Sequence, residues 1–243
     1  MRLDEALVAA GLAASRSRAR DAIRRGTVSV DGLPAAKPGQ LVAADAALAV
    51  VDPAAGYVSR AALKLAGALD CFGFETAGRT ILDLGASTGG FTQLLLERGA
   101  ARVIAVDVGH GQMVPALAAD PRVLLKEGLN ARDLTAAHLG GHRIEAITCD
   151  VSFISLRLAL PPALALAEPG AWGVFLVKPQ FEVGPRLLGK GGLVRGHAAA
   201  ETAARDLADW LSAEPGWRVA GLEPSPIAGG AGNREFLLGA LRA

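Results

Sequence analysis

Several things are scarce in this chain, and each scarcity excludes something. Only two cysteines, Cys71 and Cys149, occur in 243 residues. They lie far apart and match no metal-ligand spacing, so two free, buried thiols in a reducing compartment are expected, and no metal. Aromatic residues are 5% of the chain against 51% apolar residues, so a core must be built mainly from Ala, Val, Leu and Ile. No window approaches the roughly eighteen uncharged apolar residues of a membrane-spanning helix. The opening stretch, MRLDEALVAAGLAASRSRAR, carries acids where a secretion signal has its basic region, which predicts a cytoplasmic location and no membrane partner. Charge of one sign is also missing: 25 basic against 24 acidic residues give a net charge of +1. Net charge therefore names no partner, and its distribution has to be followed instead.

The length suits one sizeable core with a small appendage. Residues 1–51 read as a separate module. RLDEALVAAGL places Leu3, Leu7 and Val8 on one helical face. Ser15 reads as the cap of a second helix closed by Gly26. TVSVDGLP predicts a short strand and an Asp-Gly turn, and LVAADAALAVVD a last strand-like run. Residues 52–57, around Pro53–Gly56, read as a linker. Over residues 58–243 the rhythm becomes strand, helix, strand, helix. Strands are predicted near 80–84, 102–107, 122–126, 144–150, 171–178, 217–223 and 234–241. Helices are predicted from near Gly89, Gln112, Asp133 and Ser155 (broken at Pro161-Pro162) and over 197–212. This alternation predicts an α/β, doubly wound, mainly parallel sheet.

The stretch ILDLGASTGGFT, residues 81–92, places a glycine-rich turn directly after a strand. A P-loop is excluded, because no Gly-Lys-Ser/Thr is present. The dinucleotide fingerprint is excluded by spacing: the glycines fall at Gly85, Gly89 and Gly90. Asp83 just before the turn would repel a pyrophosphate and attract an amino or sulfonium group, as S-adenosylmethionine carries. The loop expected to hold that donor is Gly85, Ala86, Ser87, Thr88, Gly89, Gly90 and Phe91. Asp107, closing VIAVD, is placed to accept hydrogen bonds from ribose hydroxyls, with Val108 beside it and Asn130 bordering the adenine.

In these features the chain resembles the class I methyltransferases, with their Rossmann-like sheet. More narrowly it resembles the TlyA-type ribosomal RNA 2′-O-methyltransferases, relatives of the FtsJ-like enzymes. The resemblance rests on RLDEALVAAGLAASRSRARDAIRRGTVSVDG, YVSRAALKL, ILDLGASTGGFTQLLLERGA, VIAVDVGHGQ, CDVSFISL, LVKPQFE and SPIAGGAGNREFLL. It implies S-adenosylmethionine as cofactor and a ribose hydroxyl, cytidine in small- and perhaps large-subunit ribosomal RNA, as acceptor. It also implies a Lys-Asp-Lys-Glu set at Lys64, Asp150, Lys178 and Glu235, with Asp150 bordering the cofactor as well. A ribose hydroxyl is a poor nucleophile and needs a positioned base. Lys178 would be that base, Asp150 would orient it, and Glu235 would orient Lys64 or the hydroxyl. Two rivals stay open. Cys149 could serve a base methyltransferase on the same fold, although no Asn-Pro-Pro-aromatic segment is present. Members of the family have also carried the label hemolysin, which would mean a membrane-active protein.

The first fifty residues resemble the S4 RNA-binding module, which implies ribosomal RNA or ribosomal subunits as partner. Arg16, Arg18, Arg20, Arg24 and Arg25 crowd one helix, with Asp21 the only acid among them, and Arg2 and Arg60 add to the basic set. Arginine forks suit phosphate oxygens and give affinity with little sequence reading. VGPRLLGKGGLVRGH, with Arg186, Lys190 and Arg195, reads either as a lid over bound RNA or as a plain surface loop. A monomer or weak dimer is expected.

Overall fold

The computed structural model describes residues 1–229 and 232–243, so Gly230 and Ala231, within SPIAGGAGNREFLL, lie outside the described residues. Contacts divide the chain into two units, Met1–Gly56 and Tyr57–Ala243.

The smaller unit pairs two helices, α1 (Leu3–Ala9) and α2 (Arg16–Arg24), with a three-stranded sheet in the order β2-β1-β3. Its strands are β1 (Val28–Val30), β2 (Leu33–Pro34) and β3 (Leu48–Val50). Ser15 caps α2 by accepting from the Arg18 N–H, a contact of the kind that contributes about 1 kcal/mol. Asp31 and Gly32 both take positive φ, 50° and 78°, which matches the twist a two-residue hairpin needs. Leu3, Leu7, Ala19, Ile23 and Val28 form the core, while Val8 packs at its edge. The strand-like run at 41–52 is mostly irregular: Leu48–Val50 pairs against β1, and Leu41 makes an isolated bridge to Arg2.

In the larger unit the strands are β4 (Thr80–Leu84), β5 (Arg102–Asp107), β6 (Val123–Glu127), β7 (Ile144–Cys149), β8 (Ala167–Val177), β9 (Trp217–Pro224) and β10 (Phe236–Arg242). They form one sheet in the order β6-β5-β4-β7-β8-β10-β9. β4 to β8 run parallel, and β10 is inserted antiparallel between β8 and β9. Near-continuous burial of Ile81–Leu84 and Val103–Val106 marks strands covered on both faces. The two faces carry separate cores, one around Leu82, Ile104, Ile147 and Phe175, the other around Leu65, Ile81, Leu95 and Trp172.

Helices α3 (Ala61–Phe72), α4 (Gly90–Glu97) and α9 (His197–Ala213) are the long ones. Two predicted helices are corrected. From Gln112 only α5 (Pro115–Ala118) forms, and from Asp133 only the 3₁₀ turns Ala131–Asp133 and Ala136–Leu139. Pro121, two residues after Ala119, stops the first, and Gly140, at positive φ, ends the second. The segment after Ser155 forms α6 (Leu156–Ala159) and restarts as α7 (Pro161–Leu166), with proline in the first turn, where its missing N–H costs nothing. α8 (Pro179–Glu182) follows β8 directly.

Candidate functional site

The strand order reverses beside β4, and a cavity of about 870 Å³ opens there at the C-terminal ends of β4, β5 and β7. Gly85, Ser87, Asp107, Val108, Asn130 and Asp150 line it, together with Phe153 and Phe181. Gly85 has φ +78°, and a Cβ there would sit 2.9 Å from the Asp150 carbonyl carbon and the Val151 nitrogen. The loop after β4 therefore passes against the backbone that leaves β7. Asp107 accepts from the backbone N–H groups of Ser87 at 2.8 Å and Gly109 at 2.7 Å, which fixes its carboxylate at the pocket wall. Asn130 accepts from the Arg132 N–H, and Gln112 accepts from the Ser87 hydroxyl.

Several residues predicted to touch the cofactor are not part of the lining. Asp83 is fully buried on the other side of the strand. Its two oxygens accept from the hydroxyls of Thr92 (2.7 Å) and Thr148 (2.9 Å), and burial pushes its carboxyl up to about 6. It shapes the field behind the pocket but touches nothing inside it. Phe91 belongs to the core, Ala86, Gly89 and Gly90 are buried behind the loop, and Thr88 is exposed outside the lining. A Cβ on Gly90 would collide with Ser59, so this glycine serves helix packing.

At the same end of the sheet sit two ion pairs, one buried and one largely so, and Asp150 of the latter lines the cavity. Lys178, just past β8, is held by the Asp150 carboxylate at 2.7 Å, the Asp150 carbonyl at 3.1 Å and the Ser152 hydroxyl at 2.8 Å. The amine thus makes two hydrogen bonds, to the Asp150 carbonyl and the Ser152 hydroxyl, and an ion pair with the Asp150 carboxylate. Lys64, on α3, donates to Glu235, and both are buried. Glu235 precedes β10 and does not begin it. Phe236 pairs with Val177, so Glu235 and Lys178 are the next residues along two neighbouring strands, which brings the two pairs to one end of the sheet. A buried pair of this kind is costly to break: removing one partner leaves a charge uncompensated, about 3–5 kcal/mol.

Cys149 is fully buried, and desolvation pushes its thiol up to about 12. It stays a neutral thiol at ordinary pH and supplies no nucleophile, which removes the ground for carbon methylation. Cys71, expected to be buried, is exposed.

Sequence reasoning missed Phe153. Its side chain is 91% exposed, its φ is +65°, and its ring lies 5.2 Å from that of Phe181 at the cavity rim. In a chain with so few aromatics, an aromatic within a polar turn was the available signal. Ser152, the third holder of Lys178, and Asn233 carried none.

In the smaller unit the basic helix is differently arranged from the exposed stripe expected. Asp4, fully buried, accepts from Arg2 Nε at 3.1 Å, Arg16 Nη2 at 3.2 Å and Arg20 Nε at 2.8 Å. These guanidiniums stay about half exposed and hold the Asp4 carboxyl far below its ordinary range. A Cβ on Gly39 would lie 3.2 Å from the Arg2 guanidinium, so that residue's smallness makes room for the cluster. Arg25 is mostly buried and bound by Asp52 at 2.5 and 2.6 Å and by Asp21 at 3.0 Å, which takes it off the phosphate-facing set. Arg24 is exposed, Arg18 and Arg60 are half-buried, and Arg186, Lys190 and Arg195 are exposed on their loop.

Comparison with known proteins agrees with both halves of this description. The family model for FtsJ-like methyltransferases matches residues 57–242, and the model for S4 domains matches residues 1–47. The 16S/23S rRNA (cytidine-2′-O)-methyltransferase TlyA of Mycobacterium tuberculosis is 47% identical over 98% of this chain and 88% of its own length. Hemolysin A of Brachyspira hyodysenteriae is 37% identical over 98% of each. A solved hemolysin-labelled structure from Streptococcus thermophilus superposes with a TM-score of 0.78 at 36% identity, covering all of this chain and 88% of that one. Among the described residues no helix is long and apolar enough to cross a membrane.

Proposed function

The chain belongs to the FtsJ-like methyltransferase family, with an S4 domain ahead of the catalytic one, and from that membership we propose that it methylates a ribose 2′-hydroxyl, at cytidine, in 16S and 23S ribosomal RNA. The donor is S-adenosylmethionine. The residues present suit it: a glycine at 85 with no room for a side chain, the Asp107 carboxylate at the end of β5, and Val108 and Asn130 lining one side of the cavity. None of these would welcome a phosphate, and Asp107 and Asp150 both favour a cationic donor. When bound, that group supplies an electrophilic methyl.

The chain's own residues do the rest. The observation that carries the reading is the presence of two ion pairs, Lys178–Asp150 and Lys64–Glu235, at the same end of the sheet as the cavity. Lys178, once unprotonated, takes the proton of the 2′-hydroxyl, and Asp150 and Ser152 fix the direction of its amine. Lys64 and Glu235 orient the acceptor and keep water from replacing it, because both are buried. Phe153, exposed beside Phe181, offers a flat face on which an unstacked nucleobase can rest. Arg2, Arg16 and Arg20, with Arg18 and Arg24, serve the phosphate backbone from the smaller unit, and Arg186, Lys190 and Arg195 serve it from the loop. Such contacts hold RNA without reading sequence, so the ribosome supplies the address. A substrate of that kind places the protein in the cytoplasm.

The test is transfer of a labelled methyl group to ribosomal subunits, with the mark mapped by resistance of the ribose to alkaline cleavage. A mark at a cytidine ribose is the expected result. A mark on a base, or leakage of liposomes in place of any transfer, would overturn the reading.

A further inference from the structure

Between the turn at Gly229 and β10, three consecutive residues reach three different elements. Glu235 takes Lys64 of α3. Arg234 donates to Glu201 of α9 at 2.6 Å. Asn233, 4% exposed, turns toward the basic loop 184–196. Its Oδ1 accepts from the Val194 N–H at 3.0 Å, and its Nδ2 donates to the Gly192 carbonyl at 3.0 Å. An N–H can only donate and a carbonyl only accept, so the amide is locked in one orientation. On the main chain, the Asn233 carbonyl accepts from Gly229 at 2.9 Å, and any side chain on Gly229 would collide with the Glu235 carboxylate. The loop's own hydrogen bonds, among them Leu187 to Gly184 at 3.0 Å, Gly192 to Gly189 at 3.2 Å, Gly189 to Leu193 at 2.7 Å and Arg195 to Leu187 at 2.8 Å, close it on itself, and the Asn233 amide ties it to the segment before β10. This loop displays Arg186, Lys190 and Arg195, all exposed.

We infer that Asn233 is a positioning residue that ties the basic loop 184–196 to the segment carrying Glu235, so that the loop's cations and the Lys64–Glu235 pair meet the RNA in one fixed geometry. The inference rests on the RNA-methylating function proposed above. It gives the loop a role that is neither a free lid nor idle surface. Asn233 touches neither donor nor acceptor, and its effect reaches the reaction through what it holds. An asparagine amide suits the task because one end must accept and the other donate; a carboxylate of the same size has no donor for the Gly192 carbonyl.

The experiment compares wild-type protein with Asn233→Asp, which keeps the size but has no donor for the Gly192 carbonyl. Three quantities are read: S-adenosylmethionine affinity by calorimetry, kcat and KM for ribosomal RNA, and amide exchange at Val194. The expected result is cofactor affinity within about twofold of wild type and a fall of about tenfold in kcat/KM for RNA, the scale of one buried polar group left unpaired. The loss falls mainly on KM, with faster exchange at Val194. Val194→Pro removes the donor along with some of the valine's packing against the core, and Leu193 at φ −76°, ψ 133° already has the backbone that precedes a proline. It lowers kcat/KM in the same direction, and it decides the matter if Asn233→Asp does not fold. Unchanged kcat/KM in both variants, or cofactor affinity lost in step with transfer, overturns the inference. Absence of RNA methylation by the wild-type protein would instead defeat the function on which it rests.

Discussion

Asp4 in the smaller unit and Glu235 in the larger one are both buried carboxylates that hold cations, yet the cations differ. Asp4 gathers three half-exposed arginines, while Glu235 takes a single buried lysine, next to a second lysine held by Asp150. Arginine never gives up its proton in a protein and presents a planar fork, so clustering it around a hidden acid leaves a rigid, permanently positive face. Lysine is a point charge that can lose its proton when its surroundings require it. The small unit thus uses a buried acid to aim charge outward, and the large unit uses acids to fix two amines in place at one end of the sheet.

The strongest way to break this contrast is to exchange the two cations. Lys178→Arg keeps the charge and removes the base. Methyl transfer is expected to fall by about 10²–10⁴-fold, the usual range for a lost general base, with S-adenosylmethionine binding intact by calorimetry. Transfer retained by the arginine would reduce Lys178 to an electrostatic role. Next in size, Lys64→Met leaves Glu235 buried without its cation, and urea unfolding should register a loss of about 3–5 kcal/mol. Restoration of stability by Lys64→Met combined with Glu235→Leu would confirm that the cost is the uncompensated charge.

Asp83 sharpens the comparison, because it is a buried acid with no cation at all. Its carboxyl is raised from 3.8 to about 6 by burial. Between those values the folded protein holds a proton that the unfolded chain has released. Stability from this group is therefore present at low pH and is lost as pH rises through about 6, a swing of about 3 kcal/mol. Asp83→Asn should flatten that part of the curve of urea midpoint against pH, and an unaltered curve would show that the carboxyl titrates normally. The smallest effect concerns Asp4→Asn. It makes the arginine face more positive, so simple charge counting predicts tighter RNA binding. Loss of the organising carboxylate predicts weaker binding, by about tenfold, measured by filter binding at fixed salt.

Much of the large unit could be read in advance because its signals are local. The run ILDLG, the acid closing VIAVD and the doubled proline each fix a strand end or a helix break within a few residues. The side-chain directions could not be read that way. Asp83 and Gly85 are two apart, yet only Gly85 reaches the cavity, since Thr92 and Thr148 take up the Asp83 carboxylate behind the strand. The partner of Lys64 lies 171 residues away, and no periodicity connects them, so Glu235 was named with Lys64 through the family resemblance alone. The arginines of α2 looked free for the same reason: the acids that bind them, Asp4 and Asp52, sit on other segments. Helices expected after Gln112 and Asp133 stay short because Pro121 stops the first and Gly140 the second before an alanine-rich stretch can extend.

The missing methyl group at position 85 has a wider consequence. The loop at Gly85 and the peptide bearing Asp150 are in backbone contact there, so, under the proposed function, no slack is left between gripping the methyl source and aiming the proton acceptor. A single added carbon at that point would disturb both tasks at once. Variants at this residue should fail as a pair of coupled defects, and compensating changes would have to move two strands together.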